Sequence, residues 1–125
     1  MTEETLSSIQ GIDIETAKSS KLDVRNRLGC LYDIMLWPVK NYTARGFLWY
    51  QGESNIFNYQ FYAPMMTAMV QLWRNVWEAP DMPFYYVQIA PYKYENSRNT
   101  GAALLREAQV EALKTIPNSG IVPTT

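Results

Sequence analysis

Histidine is missing from all 125 residues of this chain, and cysteine occurs once, as Cys30. The first absence removes the usual base for a serine hydroxyl, which is a weak nucleophile at neutral pH. It also excludes the common histidine-containing metal sites, and a single thiol cannot build a thiolate site. Nor can one cysteine close an internal disulfide, so Cys30 reads as a packing thiol. No metal and no cofactor is expected. No apolar run approaches the roughly 18 residues of a membrane span. The opening MTEETLSS is too acidic and polar for a signal peptide. Net charge is −1 and the charges are scattered, so no basic stripe invites nucleic acid. Neither nucleic acid nor membrane is an expected partner.

What is present is a globular composition. Hydrophobic residues make up 47% and aromatics 14% of the chain, enough for one domain with a sizeable core. Residues 1–24 read as a polar arm, with a short extended piece at Ile12–Ile14, and residues 25–125 as an α/β domain. Leu31, Ile34, Met35 and Val39 have helical spacing, and Pro38 should kink or end that helix. Gly46–Tyr50 is a continuous apolar run suited to a strand buried on both faces. A polar loop, residues 51–58, precedes a long amphipathic helix over 59–77, with Pro64 near its start. Phe84–Ile89 reads as a second strand, and residues 91–100 as a loop. A second amphipathic helix runs from Gly101 to Thr115, with Leu105, Ala108, Ala112 and Ile116 on one face and Pro117 as its stop. Ile121-Val122 begins a third strand. This alternation implies a parallel sheet with helices on both faces and right-handed crossovers.

The stretch WYQGESN, Trp49–Asn55, carries a serine behind a glycine and an acid. Ser54 has no histidine to serve as base, no Ser-x-x-Lys spacing surrounds it, and Ile56 stands where a nucleophile elbow needs glycine. Ser54 is therefore not expected to attack anything. The loop still sits where ligands bind in open α/β sheets, beyond the carboxyl end of a strand. Lys93, Tyr92 and Tyr94 follow the second strand toward the same edge.

In order along the chain, GFLWYQGESN, YAPMMTAMVQLWR, MPFYYVQIAPY, ALLREAQ and IPNSG resemble the middle of a sialate O-acetylesterase. Relatives of this kind are SGNH-type hydrolases, similar to acetylxylan esterases, and the resemblance spans about Leu28 to Thr125. It implies a partial three-layer α/β/α, flavodoxin-like fold with a short parallel sheet. It also implies a carboxylic ester hydrolase that deacetylates sialic acids or other sugars. In that family the nucleophile lies in an upstream Gly-Gln-Ser-Asn block, the base in a downstream Asp-x-x-His block, and Trp-x-Gln-Gly-Glu is a separate block. The glutamine of the last block, Gln51 here, is implied to bind the oxyanion. A side-chain N–H fixed there would stabilise charge that develops only in the transition state. Gly52 would allow a sharp turn.

Glu53, an acid beside a pocket, needs a partner if it is buried, and a pair with Arg106 that shapes the loop is the expectation. Asn55 is placed either to cap or bridge the loop or to contact the ligand. Trp49 and Tyr50 read as core or strand-face residues, and Tyr92 and Tyr94 either as candidates to stack on a sugar ring or as exposed packing residues. The serine and histidine blocks are absent from the chain, so it is expected to be inactive alone. An alternative is a domain that binds glycans or serves assembly without hydrolysis. A nucleotide binder is disfavoured because no glycine-rich phosphate loop follows any strand. Apolar central strands should not stand uncovered, so association with a second copy or a complementing chain is expected.

Overall fold

The runs expected as strands pair into a three-stranded parallel sheet in the computed structural model, which describes residues 29–92 and 100–124. Strands β1 (Phe47–Tyr50), β2 (Phe84–Val87) and β3 (Ser119–Val122) lie side by side in chain order. Phe47 stands opposite Phe84, and Phe84 opposite Ser119. Helix α1 (Tyr62–Val76) connects β1 to β2, and α2 (Gly101–Glu111) connects β2 to β3. A 3₁₀ turn over Tyr59–Phe61 leads into α1, and another over Ala112–Lys114 tightens the end of α2.

These elements form one of two compact units, residues 44–125. The other unit spans residues 1–43, and its described part is a π-helical turn, Tyr32–Leu36, followed by a 3₁₀ turn, Trp37–Val39. The expected helix is there but irregular, because Pro38 has no N–H to donate and its ring crowds the preceding turn. The Trp37 N–H instead reaches back to the Tyr32 carbonyl, the wider spacing of a π-helix. The polar arm, residues 1–24, and the extended piece at Ile12–Ile14 lie outside the described residues.

The core of the larger unit lies between the sheet and its two helices. Phe84, Tyr86, Ile89, Leu105, Val70, Met66, Ala112 and Ile116 are all buried there. Aromatic edges bind sheet to helix: Phe47 meets Trp73 at 5.1 Å and Trp77 at 5.2 Å, and Trp49 meets Trp73 at 5.4 Å. Such tilted and edge-on pairs are favoured by ring quadrupoles. Met66, Val70 and Arg74 follow one another at four-residue intervals along the inner face of α1.

Arg74, only 4% exposed, donates Nε to the Met82 carbonyl at 2.9 Å and Nη2 to the Pro117 and Asn118 carbonyls at 2.7 and 3.4 Å. It thereby joins α1 to the connections that enter β2 and β3.

The strands are not buried on both faces, as their unbroken apolar runs suggested. The strand order advances in one direction, so right-handed crossovers place both connecting helices on the same face. Along β1, Phe47 and Trp49 turn toward the helices. Leu48, 88% exposed, and Tyr50 turn away, as do Tyr85 and Val122. This unit thus supplies one of the two helical layers of a three-layer fold and leaves an apolar sheet face with a shallow groove across it.

The end of α1 is closed by a left-handed residue that is not glycine. Ala79 N–H bonds to the Arg74 carbonyl at 2.9 Å and Glu78 N–H to the Asn75 carbonyl at 3.1 Å, the paired bonds of a Schellman motif. Glu78 accordingly has φ +52°. Glu78→Gly is expected to raise unfolding stability by about 1 kcal/mol. A urea midpoint that moves upward with an unchanged slope would bear this out.

Candidate functional site

At the carboxyl end of β1 the chain leaves the sheet through Gln51 and Gly52 and enters a 3₁₀ turn, Glu53–Asn55. Gly52 has φ +151°, a conformation that side chains disfavour. A Cβ there would lie 2.9 Å from Ile89 Cγ2 and 3.2 Å from Leu105 Cδ2. The turn therefore presses directly on the exit of β2 and on α2, with Asn55 N–H closing it onto the Gly52 carbonyl at 2.7 Å.

Gln51 is held at both ends. Its side-chain Nε2 donates to Asn55 Oδ1 at 2.6 Å. Its backbone carbonyl accepts from Tyr62 Oη at 2.8 Å and from Gln109 Nε2 at 3.3 Å. A primary amide has two N–H donors, and Asn55 engages one. Gln109 is fully buried, and its Oε1 accepts the Ile89 N–H at 3.0 Å. Tyr86 Oη donates to the Gln109 backbone carbonyl at 2.7 Å. Among the described residues no buried side-chain nitrogen or oxygen lacks a partner.

Burial sets the electrostatics of the two tyrosines. It pushes the Tyr62 hydroxyl above its ordinary range, helped by the negative charge of Glu53 and opposed by hydrogen bonds with Gln109 and Trp49. Burial likewise raises Tyr86, to about 12, with a smaller contribution from Tyr62. Both remain neutral donors throughout the physiological range.

The Glu53–Arg106 pair does not form. Arg106 turns to the carboxyl ends of β2 and β3. Nη1 donates to the Ile89 carbonyl and to Thr124 Oγ1 (3.2 Å), and Nη2 to the Thr124 carbonyl at 3.2 Å. Thr124 Oγ1 lies 3.1 Å from both the Gln88 and Ile89 carbonyls, and Gln88 Nε2 donates to the Arg106 carbonyl at 2.9 Å. Backbone carbonyls freed where a ladder ends satisfy a guanidinium without any carboxylate. Glu53 is half-buried beside Gln51, and its charge is felt by Tyr62.

The remaining candidates divide. Asn55 bridges the loop by accepting from Gln51. Trp49 packs against the core and Tyr50, on the sheet face turned away from the helices, is exposed. Ser54 is exposed. Tyr92 is exposed beyond β2, while Lys93 and Tyr94 lie outside the described residues. Sequence reasoning missed Gln109, Tyr62 and Arg74 as polar anchors. The signal for Gln109 was its position four residues after Leu105 on the apolar face of α2. Arg74 showed the same spacing after Val70 on α1.

The family model for carbohydrate esterases, sialic acid-specific acetylesterases, matches residues 14–125. The chain belongs to this family. It is 32% identical to rat (Rattus norvegicus) sialate O-acetylesterase over 96 residues, which cover 70% of this chain and 18% of the rat protein. To the mouse (Mus musculus) protein it is 31% identical over 100 residues, 74% of this chain and 18% of that one. A crystal structure of a carbohydrate acetylesterase from Xanthomonas citri superposes with a TM-score of 0.72 at 29% identity, covering 90% of this chain and 26% of that one. The fold is therefore that of a carbohydrate acetylesterase. The matched segment spans less than a fifth of the curated relatives' length.

Two outcomes follow from this geometry. Arg106→Met should cost about 2 kcal/mol, the scale of hydrogen bonds from a charged group. It should quicken amide exchange at Gln88 and Thr124 while leaving residues 51–58 protected. Faster exchange confined to 51–58 would instead favour the pair with Glu53. The second concerns alkali. Tyr86 has a folded pKa of about 12 against an ordinary 10.0, so the folded state holds its proton more tightly. Stability should be fully present below pH 10 and fall as pH rises toward 12. Thermal melts over that window should show a shallower decline in Tyr86→Phe.

Proposed function

We propose that this segment is the oxyanion-binding part of an ester hydrolase that removes acetyl groups from sialic acid or related sugars. The observation that carries the reading is Gln51. Its amide stands at the carboxyl end of β1, oriented by Asn55, with its own backbone tied to two helices. Attack on an acetyl ester places negative charge on the carbonyl oxygen. A donor already held in position stabilises that charge without having to reorganise. Gly52 lets the chain turn away at once and keeps bulk from the site, and Glu53 lines the same loop. Tyr92 supplies an aromatic surface beyond β2 for a sugar ring.

The attacking group and its base are not drawn from these 125 residues. Ser54 is solvent-facing, and the chain contains no imidazole. In the reading proposed here a serine block and an Asp-x-x-His block elsewhere in the whole protein complete the chemistry. The apolar row of Leu48, Tyr50, Tyr85 and Val122 is the surface through which this unit would associate with them or with a second copy.

The isolated chain should hydrolyse 4-nitrophenyl acetate no faster than background. Robust turnover abolished by Ser54→Ala would overturn the assignment. In an extended protein carrying the serine and histidine blocks, Gln51→Leu should lower kcat by about 10²–10³-fold with little change in KM. An unchanged kcat would remove Gln51 from the oxyanion site.

A further inference from the structure

The β1–β2 ladder ends in an unusual way. Phe47 N–H donates to the Pro83 carbonyl at 2.8 Å, with Phe47 opposite Phe84. In a parallel pair this pattern repeats every two residues. Continued through Tyr50 opposite Val87, it would bring the Ile89 N–H to the Gln51 carbonyl. These two groups do not meet. The Gln109 side-chain amide stands between them, accepting the Ile89 N–H at Oε1 (3.0 Å) and donating Nε2 to the Gln51 carbonyl (3.3 Å). A side-chain amide has the donor and acceptor of a peptide group, so it can occupy a rung of the ladder while holding the two strands apart.

We infer that Gln109 is a positioning residue for Gln51: its buried amide, spliced into the last rung between β1 and β2, fixes the Gln51 backbone where the strands diverge and so aims the Gln51 side chain. This inference rests on the reading of Gln51 as the oxyanion donor. It explains why a fully buried position on the apolar face of α2 is polar. It also explains why glutamine is needed. Methionine fills similar space but offers no N–H, and asparagine is one methylene too short to span from α2. The Tyr62 hydroxyl reaches the same carbonyl from α1, so the Gln51 oxygen is gripped from both helices.

The test separates an amide rung from mere packing. In the unmodified chain, NMR should show a coupling across the hydrogen bond from the Ile89 nitrogen to the Gln109 side-chain carbonyl carbon. A coupling to the Gln51 backbone carbonyl instead would overturn the inference. Gln109→Glu keeps the shape. Its protonated carboxyl can donate to the Gln51 carbonyl while accepting from Ile89, whereas the carboxylate can only accept.

The other groups facing this position are the Tyr62 hydroxyl from α1, the Tyr86 hydroxyl from β2, Glu53 from the turn and Arg106 on α2, through the Ile89 carbonyl. Both hydroxyls stay protonated over the measured range, and the unmodified chain controls for Glu53. In Gln109→Glu the Gln51 side-chain amide signals should match the unmodified chain near pH 5. They should then move away with a one-proton titration as pH rises to about 9, since burial raises a carboxyl pKa. Ile89 amide exchange should quicken about tenfold over the same range. Gln109→Met should show displaced Gln51 signals at every pH, with no titration. A Gln109→Glu chain that folds only in acid would support the same conclusion. Gln51 signals unmoved in both variants at every pH would overturn it. None of these readouts needs turnover, so a Gln51 that plays no part in hydrolysis would fail in the activity assay and leave them unchanged.

Discussion

A parallel sheet must dispose of the backbone groups left over where its strands part company, and here that obligation organises everything around the loop. The carbonyls of Gln51, Gln88 and Ile89 and the N–H of Ile89 all lie at the carboxyl rim. Each is met by a side chain: Tyr62, Gln109, Arg106 or Thr124. Unmet, such groups would each cost on the order of 1–3 kcal/mol when shielded from water. Because the partners come from both helices and from the residues beyond β3, satisfying the rim also fixes the helices against the sheet. The Gln51 backbone is thus held by the same bonds that satisfy the rim, and Asn55 holds its side-chain amide.

The chemistry available at this rim is one-sided. It consists of neutral donors and acceptors and the Arg106 guanidinium, with Tyr62 and Tyr86 kept protonated by burial and with one carboxylate, Glu53, at the edge. Such a rim can receive developing negative charge, and among the described residues it presents no imidazole or amine. That asymmetry agrees with membership of a carbohydrate acetylesterase family in a segment that covers only a small part of its relatives.

Much of this was legible in the residues. GFLWY and PFYYV announced strands through aromatic and branched content, and the two helices announced themselves through apolar spacing. Gly52 marked a turn that only glycine tolerates. The one-sided burial of the sheet was not legible, because FLWY and FYYV are apolar at every position and lack the alternation that would name an outward face. Nor was the partner of Arg106. Opposite charge is visible in a sequence, whereas carbonyl oxygens belong to every residue and mark no particular place. Gln109 was overlooked for a related reason: among apolar neighbours a single amide looks like an interruption of the pattern.

At the far rim, Arg74 draws on three carbonyls from the segments entering β2 and β3. A guanidinium sealed from water cannot give up one acceptor without leaving part of its charge unserved. The two entering segments are therefore yoked: neither can peel off by itself.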